Sequence, residues 1–196
     1  MNLRRLAGFL AVWLTPGRAP AHDAFGDLGP FYGGLLHPMV DPVQGLLLFG
    51  AALLLARQPA ARVRTVYIVM ILAGILAVAA HQALPAPELG MRTAGVLMAL
   101  LGALALSGLS LPILATAALA GGVAIIAGFR GDAPADPRTA LLNAAGLSLG
   151  LGLFVLFVWC GFDMLQARLG RIAGAVAGSW VTAVGIMVAA LPNGVS

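Results

Sequence analysis

The sequence predicts an all-α integral membrane protein: six transmembrane helices preceded by a signal sequence and a broken, partly membrane-embedded N-terminal segment. Three observations carry this reading. Of the 196 residues 61% are hydrophobic and 9% charged, and the mean hydropathy is +1.00. Soluble domains carry about a quarter charged residues and just under half apolar ones. The apolar residues come in runs close to the ~20 that cross ~30 Å of hydrocarbon as a helix. Proline, glycine and charge fall at the short breaks between those runs. This composition excludes an ordinary soluble protein, a disordered chain, a disulfide-stapled module and a nucleic-acid binder. The formal charge of +4 comes from 11 Arg, with no Lys, against 7 acids. The single cysteine, Cys160, has no internal disulfide partner and no CxxC mate.

Residues 1–21 read as a signal peptide. Arg4 and Arg5 precede an apolar stretch from Leu6 to Leu14, about half the length of a span. Ala19-Pro20-Ala21 places small residues where signal peptidase reads, so cleavage leaves His22 at the mature N-terminus. The competing reading is an uncleaved anchor. Residues 22–196 then form one transmembrane domain, in which the segment from His22 to Gly45 comes first. It is too apolar for a loop, yet Gly29, Pro30, Gly33, Gly34, Pro38 and Pro42 forbid one straight helix. A short helix from about Pro30 to His37, a break at Pro38 and a long helix from Pro42 are expected. Broken backbone at membrane depth is tolerated only beside protein or a water-filled cavity, and such breaks supply ion sites in transporters.

Spans follow at about 43–57, 64–84, 91–108, 111–129, 139–162 and 172–191. Pro42, Pro112 and Pro137 sit at helix starts, and Asp41 and Asp136 are placed to cap two of them. Gly146-x-x-x-Gly150 and Gly174-x-x-x-Gly178 are small-residue seams suited to close helix contact. Arg57, Arg62 and Arg64 fall in one loop, Arg168 and Arg171 in another. The positive-inside rule puts both loops in the cytoplasm and both termini in the periplasm of a bacterial inner membrane. Without Arg4, Arg5 and Arg18 the chain is close to neutral.

That orientation gathers His22, His37 and His81 on the outer side with Asp23, Asp27, Asp41, Glu88, Asp132 and Asp136. Imidazole and carboxylate together suit nickel, cobalt, zinc or copper ions. His37, at the end of a short helix, stands where the helix dipole favours a cation; its alternative role is to bond carbonyls freed by Pro38. A free N-terminal His22 chelates copper(II) or nickel(II) through amine and imidazole. His81 is ionisable close to the hydrocarbon, where such residues are functional by default. Gln44 and Asn143 lie about a turn inside their spans and either bridge helices or add oxygen donors.

His22-Asp23-Ala24-Phe25 and Phe31-Tyr32-Gly33-Gly34-Leu35-Leu36-His37-Pro38, followed by six spans, resemble the HupE/UreJ family. These are small polytopic bacterial membrane proteins regarded as nickel or cobalt permeases and as accessories to hydrogenase or urease. After His-Pro the family carries a glycine and then an adjacent Asp-His pair; here those places read Asp41 and Val43-Gln44. The resemblance implies a permease for nickel or cobalt; with the histidines and carboxylates above, the expected cargo is a divalent cation, copper included, taken from the periplasm. His37 and Asp41 are the first ligands, His81 and His22 complete the set, and Gln44 and Asn143 support it. Because the ligand is a neutral imidazole, binding weakens below about pH 6.

Two further readings use the same residues. A non-transporting accessory subunit of a membrane redox or metalloenzyme complex would dock partners through its small-residue faces. The spans carry no acid or histidine at mid-depth, and offer chiefly Thr116, Ser148, Ser179 and Thr182, which suits that role. A haem protein would use His37 and His81 as axial ligands. No nucleophile–base pair or phosphate loop suggests an enzyme.

Overall fold

A computed structural model describes residues 28–87, 89–132, 134 and 136–191. Seven helices and no strand occupy the described residues: α1 Pro30–Val40, α2 Pro42–Leu55, α3 Ala60–His81, α4 Met91–Ser107, α5 Ile113–Gly128, α6 Pro137–Leu169 and α7 Ile172–Ala190. The signal segment 1–21, His22 and Glu88 lie outside them.

Local chemistry explains the starts. Pro30, Pro42 and Pro137 open α1, α2 and α6, where the missing N–H would have had no intrahelical partner. Asp41 Oδ1 accepts from the amides of Val43 (2.9 Å) and Gln44 (3.3 Å). Asp136 Oδ2 accepts from the Thr139 hydroxyl (2.7 Å) and amide (2.8 Å). The Thr139 hydroxyl and amide hold the Asp136 carboxyl below its usual range. A depressed carboxylate stabilises the fold above the ordinary aspartate value, and the cap is lost as the pH falls below about 4. Asp136→Ala should therefore speed amide exchange at Thr139 at neutral pH, with the middle of α6 unchanged. Equal exchange in both proteins would contradict the cap.

The first break differs from the one expected. α1 continues through Pro38 to Val40, and the chain turns by 69° between α1 and α2. The corner is Asp41, with φ −85° and ψ 106°. A residue before proline avoids the right-handed helical region, so Pro42 sets the corner one residue upstream of itself. Pro38, near the end of its helix, forfeits only one bond. The elbow closes tightly: a Cβ on Gly45 would lie 2.6 Å from the Pro38 carbonyl oxygen.

Other boundaries shift modestly. α3 begins at Ala60, directly after Pro59, and ends at His81 instead of 84. α6 runs to Leu169, past the expected 162, because a lone Gly161 costs a helix only about 1 kcal/mol. It stops at Gly170, whose φ of +70° favours glycine. At 33 residues α6 is about 50 Å long. α3, α6 and α7 are each long and apolar enough to cross a membrane, and the bent α1–α2 pair counts as a fourth candidate. α4 and α5 are apolar but shorter, with 17 and 16 residues.

α2 is the central helix. Apart from Gln44 it is apolar all round, and Leu47, Leu48, Ala51, Ala52 and Leu55 are fully buried by α4, α5, α6 and α7. Around it the helices pair backbone to backbone. α4 and α7 run antiparallel, Gly95 against Gly185 and Gly102 against Gly178 and Thr182. α1 lies along α6, with Gly146 and Gly150 beneath the carbonyls of Phe31 and Leu35. α3 lies along α5, with Gly128 against Gly74 and Ala77. The glycine seams are thus internal. Leu72, Leu76, Leu141, Phe157, Trp180 and Met187 face outward, as suits a lipid-facing exterior and not an aqueous one. The result is an all-helical bundle of membrane type.

Alternating helix direction sorts the polar groups to two ends. At one end Arg57 donates twice to the Ala105 carbonyl (2.7 and 3.1 Å). Arg171 donates to Gly108 (2.7 Å) and Gln166 to Ala56 (3.2 Å). Burial and then the neighbouring Arg171 lower the Arg57 pKa. These side chains satisfy carbonyls that helix C-termini and the adjoining turns leave open. The opposite end holds His37, Asp41, His81, Asp132 and Asp136.

Candidate metal site at the elbow

The geometry at the elbow follows from one fixed amide. Gln44, fully buried, donates through Nε2 to the Ala127 carbonyl at 2.7 Å. Its Oε1 is therefore the acceptor facing His37 Nδ1 at 2.8 Å. An amide oxygen only accepts, so Nδ1 carries the proton and the neutral ring keeps its lone pair on Nε2. No described residue bonds that Nε2. A histidine whose second nitrogen is held in this way is oriented as metal-ligating histidines are. His37 is 7% exposed, at the surface of the core and not sealed within it.

Asp41 stands at the corner. Oδ1 is taken by the two capping amides, and Oδ2 accepts from Arg130 Nε in an ion pair. His81, at the end of α3, donates Nε2–H to the Gly131 carbonyl at 3.0 Å, with its ring edge-on to Phe129. Its Nδ1 keeps the lone pair and is buried with no partner among the described residues. Asn143 donates to the Pro30 carbonyl at 3.4 Å across the α1–α6 seam, and its Oδ1 is likewise buried and unpaired.

Thus one turn, Ala127–Gly131, receives Gln44, Asp41 and His81 through its backbone and Arg130. Gln44 brings His37 to that turn, whereas Asn143 sits on a different seam. Among the described residues no three of His, Cys, Asp or Glu come close enough to share an ion. His22 lies outside those residues. The fit to a cation is therefore partial. Among the described residues His37 and His81 each keep a ring nitrogen without a partner, while both oxygens of Asp41 are already hydrogen-bonded.

Arg130 is the residue that sequence reasoning passed over. Its signal was available: it is one of three arginines, with Arg92 and Arg138, that the positive-inside count leaves on the wrong side. The ion pair joins positions 89 apart in sequence, beyond the reach of any local motif.

A family model described as HupE / UreJ protein matches residues 10–189. No curated protein and no solved structure shows a significant match.

Proposed function

The chain belongs to the HupE / UreJ family, a membrane family associated with nickel or cobalt transport or accessory roles and not with catalysis; on that premise we propose that it binds a divalent transition-metal cation at the elbow and carries it across the membrane. The observation that carries this reading is the His37–Gln44–Ala127 relay, which leaves one imidazole lone pair oriented at the end of a broken helix pair. The bent α1–α2 pair, with α3 to α7, forms six crossings. The Arg57 end faces the cytoplasm by the positive-inside rule, and the elbow opens toward the periplasm. His37 is the first ligand. His81 and His22 are further ligands, and Asp41 joins when its carboxylate is released. Nickel and cobalt are preferred cargoes, with copper a third, since imidazole suits all three.

Gln44 stands where the family carries the histidine of its Asp-His pair, and Val43 where it carries the aspartate. Gln44 touches the His37 ring, so those two places adjoin. Gln44→His would set a second imidazole beside His37, and Val43→Asp would restore the family's carboxylate at the adjoining position. The double variant should bind nickel about tenfold more tightly or better, read by equilibrium titration; unchanged affinity would contradict a site at the elbow.

A non-transporting accessory subunit is the second reading. It is favoured by the engaged Asp41 and by exposed Met164, Leu165 and Leu169 near the end of α6 with Ile172 at the start of α7. The test is purification of the full-length protein with its metal content and companions determined together. Bound nickel or cobalt on the isolated chain supports the permease. A metal-free chain with a stoichiometric companion supports the subunit.

A further inference from the structure

We propose that Arg130 is a tethered counter-cation that occupies the place of the divalent ion beside Asp41, so that cargo binds there only by displacing the guanidinium. The proposal rests on the reading of the elbow as a metal site. Its first ground is oxygen accounting. Asp41 Oδ1 already accepts two capping amides, so Oδ2 is the oxygen left for a cation, and Arg130 Nε holds it. A guanidinium and a divalent ion on one carboxylate repel each other, so each weakens the other's hold on Asp41.

The second ground is room. The Arg130 side chain lines a cavity of about 440 Å³ formed with Ala86, Pro87, Leu89, Ile126 and Phe129. A released guanidinium therefore has space beside its present position, at the same end of the bundle.

The third ground is connection. Arg130 lies two residues past the end of α5, and its own amide bonds the Ala127 carbonyl at 3.2 Å. That carbonyl also takes Gln44, and Gly131 takes His81. Loosening Arg130 from Asp41 thus disturbs the turn that orients both histidines. Cargo loading and the hold of α5 on the elbow become one equilibrium, and by linkage each opposes the other.

The contrast with a purely structural ion pair lies in the signs. Breaking a structural staple weakens fold and site together. Removing a competing cation weakens the metal-free fold while strengthening metal binding.

The experiment is equilibrium binding of cobalt(II) alone to full-length protein purified in detergent, with thermal unfolding of the same samples without metal. Wild type, Arg130→Gln, Arg130→Lys and His37→Ala are compared at fixed ionic strength. Arg130→Gln should unfold at lower temperature yet bind cobalt about tenfold more tightly, with Arg130→Lys close to wild type. Equal or weaker binding by Arg130→Gln, with His37→Ala still abolishing it, would overturn the counter-cation and leave the metal site standing. No cobalt bound by wild type or Arg130→Gln would overturn both. A second measurement needs no variant: phenylglyoxal labelling of Arg130 in wild type, read by peptide mass spectrometry, should rise when cobalt is added. Labelling that cobalt leaves unchanged would overturn the displacement.

Discussion

Replacing His37 by alanine is expected to abolish nickel and cobalt uptake into vesicles carrying the purified protein. The ring's orientation is enforced by a buried partner, through Nδ1–H donation to Gln44 Oε1 at 2.8 Å. Its loss removes the ligand and also strands Gln44 Oε1, a buried acceptor then lacking a donor. An unsatisfied buried group of this kind costs about 1–3 kcal/mol, so stability must be followed alongside uptake. His37→Asn separates the two effects: its amide can donate in turn to Gln44, whereas a carboxamide is a poor substitute for imidazole toward nickel. Folded, inactive His37→Asn is the expected result. Uptake at the wild-type rate by a folded His37 variant would show that cargo passes elsewhere.

The largest structural effect is expected at the α4–α7 seam. A Cβ on Gly102 would lie 2.5 Å from the Thr182 amide nitrogen and 2.7 Å from the Gly178 carbonyl oxygen. Both are backbone atoms of α7, so no side-chain rotation relieves the collision, and the helices must part. Gly102→Leu should therefore cost about 3 kcal/mol or more, seen as loss of the folded protein on mild heating in detergent. Gly122 is the control: a Cβ there meets nothing within 4 Å, so Gly122→Ala should be neutral or slightly stabilising. Similar behaviour of the two variants would contradict close packing at this seam. The reason lies in the solvent. Lipid gives apolar helices little hydrophobic incentive to associate, so close backbone approach at small residues supplies much of the attraction.

Much of this architecture is legible because its causes are local. Pro42 and Pro137 preset a helix start, and Asp41 and Asp136 reach amides two or three residues ahead. Neither device depends on the rest of the chain. The corner was misplaced by three residues because Pro38 reads as a breaker, yet a proline close to a helix C-terminus breaks little. What constrains the backbone is Pro42, acting on the residue before it. α6 runs past the expected 162 for a similar reason, since Gly161 and Asp163 are weak stops inside a long apolar helix.

The site was legible in membership and illegible in wiring. His37 and Gln44 are seven residues apart, about 10 Å along a straight helix. They bond because the chain turns 69° between them, which no periodicity displays. Asp41 was read both as a cap and as a ligand, two roles that compete for the same oxygens. The structure shows the cap made and the remaining oxygen held by Arg130. That pairing depends on α5 ending beside the elbow, a tertiary fact.

The central claim is that a transition-metal cation binds at the elbow through His37. X-ray absorption at the nickel edge, on full-length protein purified with one equivalent of nickel, tests it most directly. The expected spectrum contains imidazole scattering that is diminished or lost in His37→Asn. A wild-type spectrum with oxygen ligands alone, or an imidazole signal identical in the variant, would contradict it.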